Sequence, residues 1–97
     1  MDNIEYTNHV KIRAQQRGIP REALDFIMKY GKTVNTHGDK KSFVPTKIFN
    51  QLMLNKEHIN FLKKFDKQIK STAVIWNKND KTVITAFTIT KRNNWSN

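Results

Sequence analysis

The chain has 97 residues, 18 Lys and Arg against 8 Asp and Glu, a formal charge of +10 at neutral pH, and no cysteine. That length allows one domain with one modest core, and the missing thiols exclude disulfides, thiolate metal sites and cysteine nucleophiles. The basic excess points to a polyanionic partner, nucleic acid or an acidic protein, or else serves solubility alone.

The charge is uneven. Residues 1–44 hold eight basic and five acidic side chains (+3), and residues 45–97 hold ten and three (+7), so the second half is the larger electrostatic footprint. No apolar run approaches the roughly 20 residues of a membrane span, and the first five residues do not read as a secretion signal. A cytoplasmic, reducing setting without membrane contact is therefore expected.

In chain order, residues 3–6 read as a short first strand, and Thr7 or Asn8 supplies an N-cap for a helix. Gly18 closes that helix through a left-handed C-cap, and Pro20 starts the next one, making a helical hairpin. In the second helix Ala23, Leu24, Phe26, Ile27 and Tyr30 cluster on one side, with Arg21, Glu22, Asp25 and Lys29 opposite. Gly31 ends it. The stretch "KTVNTHGDKKSFV" reads as a hairpin turning at Gly38-Asp39, a register that pairs Val34 with Phe43 and His37 with Lys40. The apolar pair is then expected on the core face and His37 and Lys40 on the other.

Residues 45–70 return to a helical period, in two pieces split near Asn55. The second piece carries Ile59, Phe61, Leu62, Phe65 and Ile69 on one side and Lys56, Lys63, Lys64, Lys67 and Lys70 on the other. Such a lysine face is either a solvated surface or a nucleic-acid contact. Two further strands, joined at Asn79-Asp80, pair Trp76 with Val83 and Ile75 with Ile84. The expected fold class is α+β: an N-terminal helical hairpin on a curved antiparallel sheet of about four strands, with a helical insertion at about 45–70 and a frayed tail at 93–97.

Chemistry is sparse. The three histidines are scattered, no metal-ligand spacing or glycine-rich phosphate loop occurs, and no two acids form a recognisable pair, so neither metal nor cofactor is expected. What stands out is "HVKIRAQQRGIP", in which His9, Arg13 and Arg17 recur every four residues and form one stripe beside Val10 and Ala14, the side that packs inward. Histidine plus cations suits metal-free cleavage of RNA, whose 2′-hydroxyl is its own nucleophile. The enzyme need only move protons and offset charge on the phosphorane. An imidazole works as acid or base near neutral pH, and arginine forks hold phosphate oxygens. Each residue also has a structural role open to it. His9 can cap or pack in the first turn, Arg17 can favour the helix C-terminus, and Arg13 can donate a hydrogen bond to Asp66, Asp39 or a backbone carbonyl. His37 and Lys40 at a hairpin tip, Lys63 and Lys67 on the lysine face, and Lys91 and Arg92 after the last strand are the secondary candidates for nucleic-acid contact.

The run His9-Val10-x-x-Arg13-Ala14-x-x-Arg17-Gly18-Ile19 resembles the H-A-x-x-R-x-x-x-R-G-I signature of the small bacterial and phage family called domain of unknown function four-two-five-eight. The second helix, Gly31, the Val34 strand and the closing "TVITAFTITKR" fit the same layout; residues 45–70 are extra. That family is similar to the RelE/ParE and BrnT toxin group, whose compact folds join two helices to a curved antiparallel sheet and many of whose members cleave RNA. The resemblance implies a toxin-like ribonuclease or RNA-binding protein with His9, Arg13 and Arg17 as site residues, and an antitoxin as partner. Val10 stands where the signature has alanine, and Phe87 and Thr88 stand where such proteins often carry a tyrosine near a terminal arginine. The alternative is a non-catalytic basic module of a phage or mobile element, docking on a host protein or nucleic acid through residues 56–70.

Overall fold

The computed structural model describes residues 4–89. The element order is β1 (Glu5–Tyr6), α1 (Asn8–Gln16), α2 (Arg21–Tyr30), β2 (Lys32–Thr36), β3 (Asp39–Phe43), α3 (Thr46–Met53), α4 (Lys56–Lys64), α5 (Asp66–Ser71), β4 (Thr72–Trp76) and β5 (Thr82–Thr88). The class is α+β, with five strands in one mixed sheet ordered β1-β5-β4-β3-β2. The sheet thus has one strand more than expected and is not wholly antiparallel. The short β1 runs parallel to β5, with Glu5 opposite Thr82 and Tyr6 opposite Val83.

Local chemistry sets the helix boundaries. Thr7 is the N-cap of α1, its hydroxyl accepting from the Val10 amide at 3.2 Å, which satisfies one of the amides that a first turn leaves without a partner. The chain leaves α1 through Gly18 at φ 71°, the left-handed conformation that glycine adopts without steric cost. After α2, Gly31 has no positive φ. Its missing side chain matters because a Cβ there would stand 2.6 Å from the carbonyl oxygens of both Ile27 and Phe43. The helical insertion breaks at Asn55, whose side chain accepts from the Glu57 amide at 2.8 Å, and again at Phe65.

All five helices supply side chains to one core against one sheet face. Val10 and Ala14 of α1, Ala23, Leu24, Phe26 and Ile27 of α2, Phe49, Leu62 and Ile69 of the insertion, and Val74, Val83 and Ala86 of the sheet are buried together. Ile27, Leu62 and Ile69 are among the largest side chains wholly removed from water, each stabilising the fold by roughly 1.5–3 kcal/mol. At the α2–α4 contact Phe26 stacks on Phe61 with centroids 5.0 Å apart, and His58 lies edge-on to Phe26 and Tyr30 at 5.4 and 4.6 Å. His58 is thus a core-packing residue.

The β2–β3 hairpin corrects the expected register. It turns at His37-Gly38, both with positive φ (43° and 90°), and pairs Thr36 with Asp39, Asn35 with Lys40 and Val34 with Lys41. Two successive positive φ values are what a tight turn needs to follow the strand twist, and they place the turn one residue earlier than Gly38-Asp39. Opposed residues share a face, so Val34, Lys41, Phe43 and Ile75 fall on the face away from the core helices, while Lys40 joins Ser42, Val74 and Trp76 on the helix-covered side. Both expectations for this hairpin are therefore reversed: Phe43 is buried but outside the main core, and Lys40 is half-buried on the core side. In the last hairpin Trp76 does pair with Val83, but Ile75 faces Thr85. Ile84 is the extra residue of a bulge, which re-aims the strand beside β1.

Candidate functional site

Helix α1 lies along β5. The Thr7 amide meets the Val83 carbonyl at 3.5 Å where α1 begins, and the Arg17 guanidinium donates to the Thr88 hydroxyl at 3.1 Å where it ends. Val10 and Ala14 face the sheet and are buried; Arg13 beside them is half-buried, and His9 and Arg17 are exposed. The stripe therefore forms one line of an imidazole and two guanidinia, about two helical turns long. Neither the His9 nor the Arg13 side chain makes a hydrogen bond or ion pair with a described residue. Asp66, the acceptor considered for Arg13, instead pairs with Lys70 at 3.3 Å. Beside this line β1 pairs with Thr82 and Val83 only, so among the described residues no strand flanks the rest of that edge of β5.

The second half of the chain presents its lysines to solvent. Lys56, Lys63, Lys64, Lys67 and Lys70 are all exposed, and Lys64 and Lys70 lean over the rings of Phe65 and Phe49 at 5.3 and 4.7 Å. Their aliphatic stems thus cover apolar surface while the ammonium groups stay in water. His37 is exposed at its turn. Lys40, in the same hairpin, has its Nζ 2.7 Å from the Asn35 amide oxygen across the β2–β3 pair. Lys91 and Arg92 lie outside the described residues. The structure therefore brings His9, Arg13 and Arg17 together and leaves the other candidates separate. Among the described residues no group of three or more His, Asp or Glu side chains is close enough to hold a metal ion, and no helix is long and apolar enough to cross a membrane.

Of the concavities beside α2, two have Arg21 in their walls, and none of His9, Arg13 or Arg17 lines either of them. An apolar one of about 460 Å³ lies between the α1–α2 connection and Phe65, with Ala14, Ile19 and Leu24 in its wall. The other, about 690 Å³, opens between α2 and the sheet, where Arg21, Lys29, Lys40 and Lys81 surround Trp76 and Asp25. Tyr6 anchors the region between them: its hydroxyl donates to the Asp25 carboxylate, and the Arg21 guanidinium sits 5.0 Å from its ring centroid. Burial, then the neighbouring Asp25 carboxylate, push the Tyr6 phenol well above its ordinary range. The sequence reading missed this second cleft, because Arg21 and Lys29 look like any polar helix face and Trp76 like any strand aromatic. Compared with protein-family models, curated proteins and solved structures, the chain matches none.

Proposed function

We propose that the protein binds single-stranded RNA along the His9–Arg13–Arg17 line and cleaves it without a metal, as a toxin-like ribonuclease built on a RelE-like variant of the helical hairpin and sheet. One observation carries the reading: an imidazole and two guanidinia are aligned on one side of α1, beside an open strand edge, with no carboxylate bonded to any of them among the described residues. Guanidinia without internal counterions are available to phosphates. A strand laid along α1 meets the Arg13 and Arg17 forks through successive phosphate oxygens; His9 takes the 2′-hydroxyl proton as that oxygen attacks the adjacent phosphorus, the P–O5′ bond breaks to leave a 2′,3′-cyclic phosphate, and water protonates the departing 5′-oxygen. The resemblance of the run from His9 to Ile19 to that family's signature supports the same assignment.

The test is incubation of a generic single-stranded RNA with the protein in EDTA. The wild type should cleave, His9→Ala should lower the rate at least 100-fold, and Arg13→Ala should weaken binding and cleavage together. Intact RNA in the presence of bound wild-type protein removes the enzyme and leaves a binding module. Absence of both cleavage and binding removes the whole reading.

A further inference from the structure

The cleft between α2 and the sheet is separate from the α1 line and has a shape that line lacks. Its volume, about 690 Å³, is that of a small-ligand site. Three of the four cations around it rest on neutral groups: Arg21 on the Tyr6 ring at 5.0 Å, Lys29 on the Tyr30 ring at 5.4 Å, and Lys40 on the Asn35 amide oxygen at 2.7 Å. A ring face or an amide oxygen orients a cation without cancelling its charge. The cleft therefore keeps the positive potential that a phosphate requires. In its wall stands Trp76, half-buried, with its indole N–H donating to the Ser42 hydroxyl at 2.8 Å. That bond fixes the ring, and a fixed, partly exposed indole is a stacking surface for a planar base. Asp25 adds one acceptor among the cations, suited to a sugar hydroxyl or a base amine.

We propose that this cleft binds one nucleotide, its phosphate held by Arg21, Lys29 and Lys40 and its base laid on Trp76. The nucleotide is either free or one unit of an RNA strand, and the site stands whether or not RNA is bound or cleaved at α1.

The test follows the two indole N–H resonances of the full chain by NMR, assigned with Trp95→Phe, during titration with AMP, adenosine, inorganic phosphate and hexa-adenylate. AMP should shift the Trp76 resonance saturably, with adenosine and phosphate each at least tenfold weaker, because each satisfies only half the site. Lys29→Gln and Lys40→Gln should each weaken AMP at least tenfold without changing the melting temperature. Arg13→Ala should leave AMP affinity unchanged, which separates failure here from failure of the α1 reading. Displacement of AMP by hexa-adenylate assigns the site to a strand, and no displacement assigns it to free nucleotide. An unmoved Trp76 resonance at millimolar AMP, equal responses to phosphate and AMP, or unchanged AMP affinity in both lysine variants overturns the proposal.

Discussion

The α1 line and the α2 cleft both gather cations on the helix-covered side of the sheet, yet they hold them in opposite ways. Along α1 the groups are spaced by helical geometry and line neither cleft, tied to the sheet by the Arg17–Thr88 bond. In the cleft they come from α2, β3 and the β4–β5 turn, converge on a concavity, and are positioned by two aromatic rings and an amide. An extended line of charge tracks a polymer and discriminates little, whereas a concave cluster with an aromatic wall is selective for one unit. The difference teaches that net charge alone does not locate a site; what distinguishes the two regions is how each cation is held.

Substitutions that disturb one region and spare the other sharpen this comparison. The largest effect is expected from Gly31→Ala, which drives a methyl group into two backbone carbonyls where α2 meets β3. It should cost about 3 kcal/mol by denaturant unfolding and distort the cleft while leaving the α1 line. Next is Tyr6→Phe, which leaves the Asp25 carboxylate without its donor and should cost about 1.5 kcal/mol. The same variant tests a pH dependence. The Tyr6 phenol is raised in the folded state, so its contribution is full below the unfolded value near 10. It is lost as the pH rises above that, because the unfolded chain releases the proton first. Wild-type melting temperature should fall more steeply above about pH 10 than that of Tyr6→Phe.

Thr7→Ala removes the cap of α1 and should cost about 1 kcal/mol. It loosens the helix that carries the cationic line, so RNA affinity should drop while the cleft is unaffected. Arg17→Ala is the mildest for stability. Its bond to Thr88 is exposed, so the loss should stay within about 0.5 kcal/mol, a result that separates a binding role from a structural one.

Helical periodicity made α1, α2 and the break at Asn55 legible, because those patterns depend on spacing within one segment. The cationic line was legible for the same reason. Strand β1 was read only as a strand, since nothing in two residues reveals a parallel partner about 77 positions away in sequence. The His37-Gly38 turn was missed because histidine rarely takes a positive φ, and that displacement put Lys40 and Phe43 on the wrong faces. The Ile84 bulge likewise shifted one pairing. The cleft was illegible in principle, for Arg21, Lys40 and Trp76 meet only after the sheet has formed.

The salt dependence of single-stranded RNA affinity, compared between the wild type and Arg13→Ala/Arg17→Ala, tests the central claim most directly. If the α1 line grips phosphates, the double variant should bind more weakly, and its slope of log affinity against log salt should be shallower by about 1.4, from about 0.7 per lost phosphate contact. An unchanged slope and affinity, with the fold intact, would contradict the account.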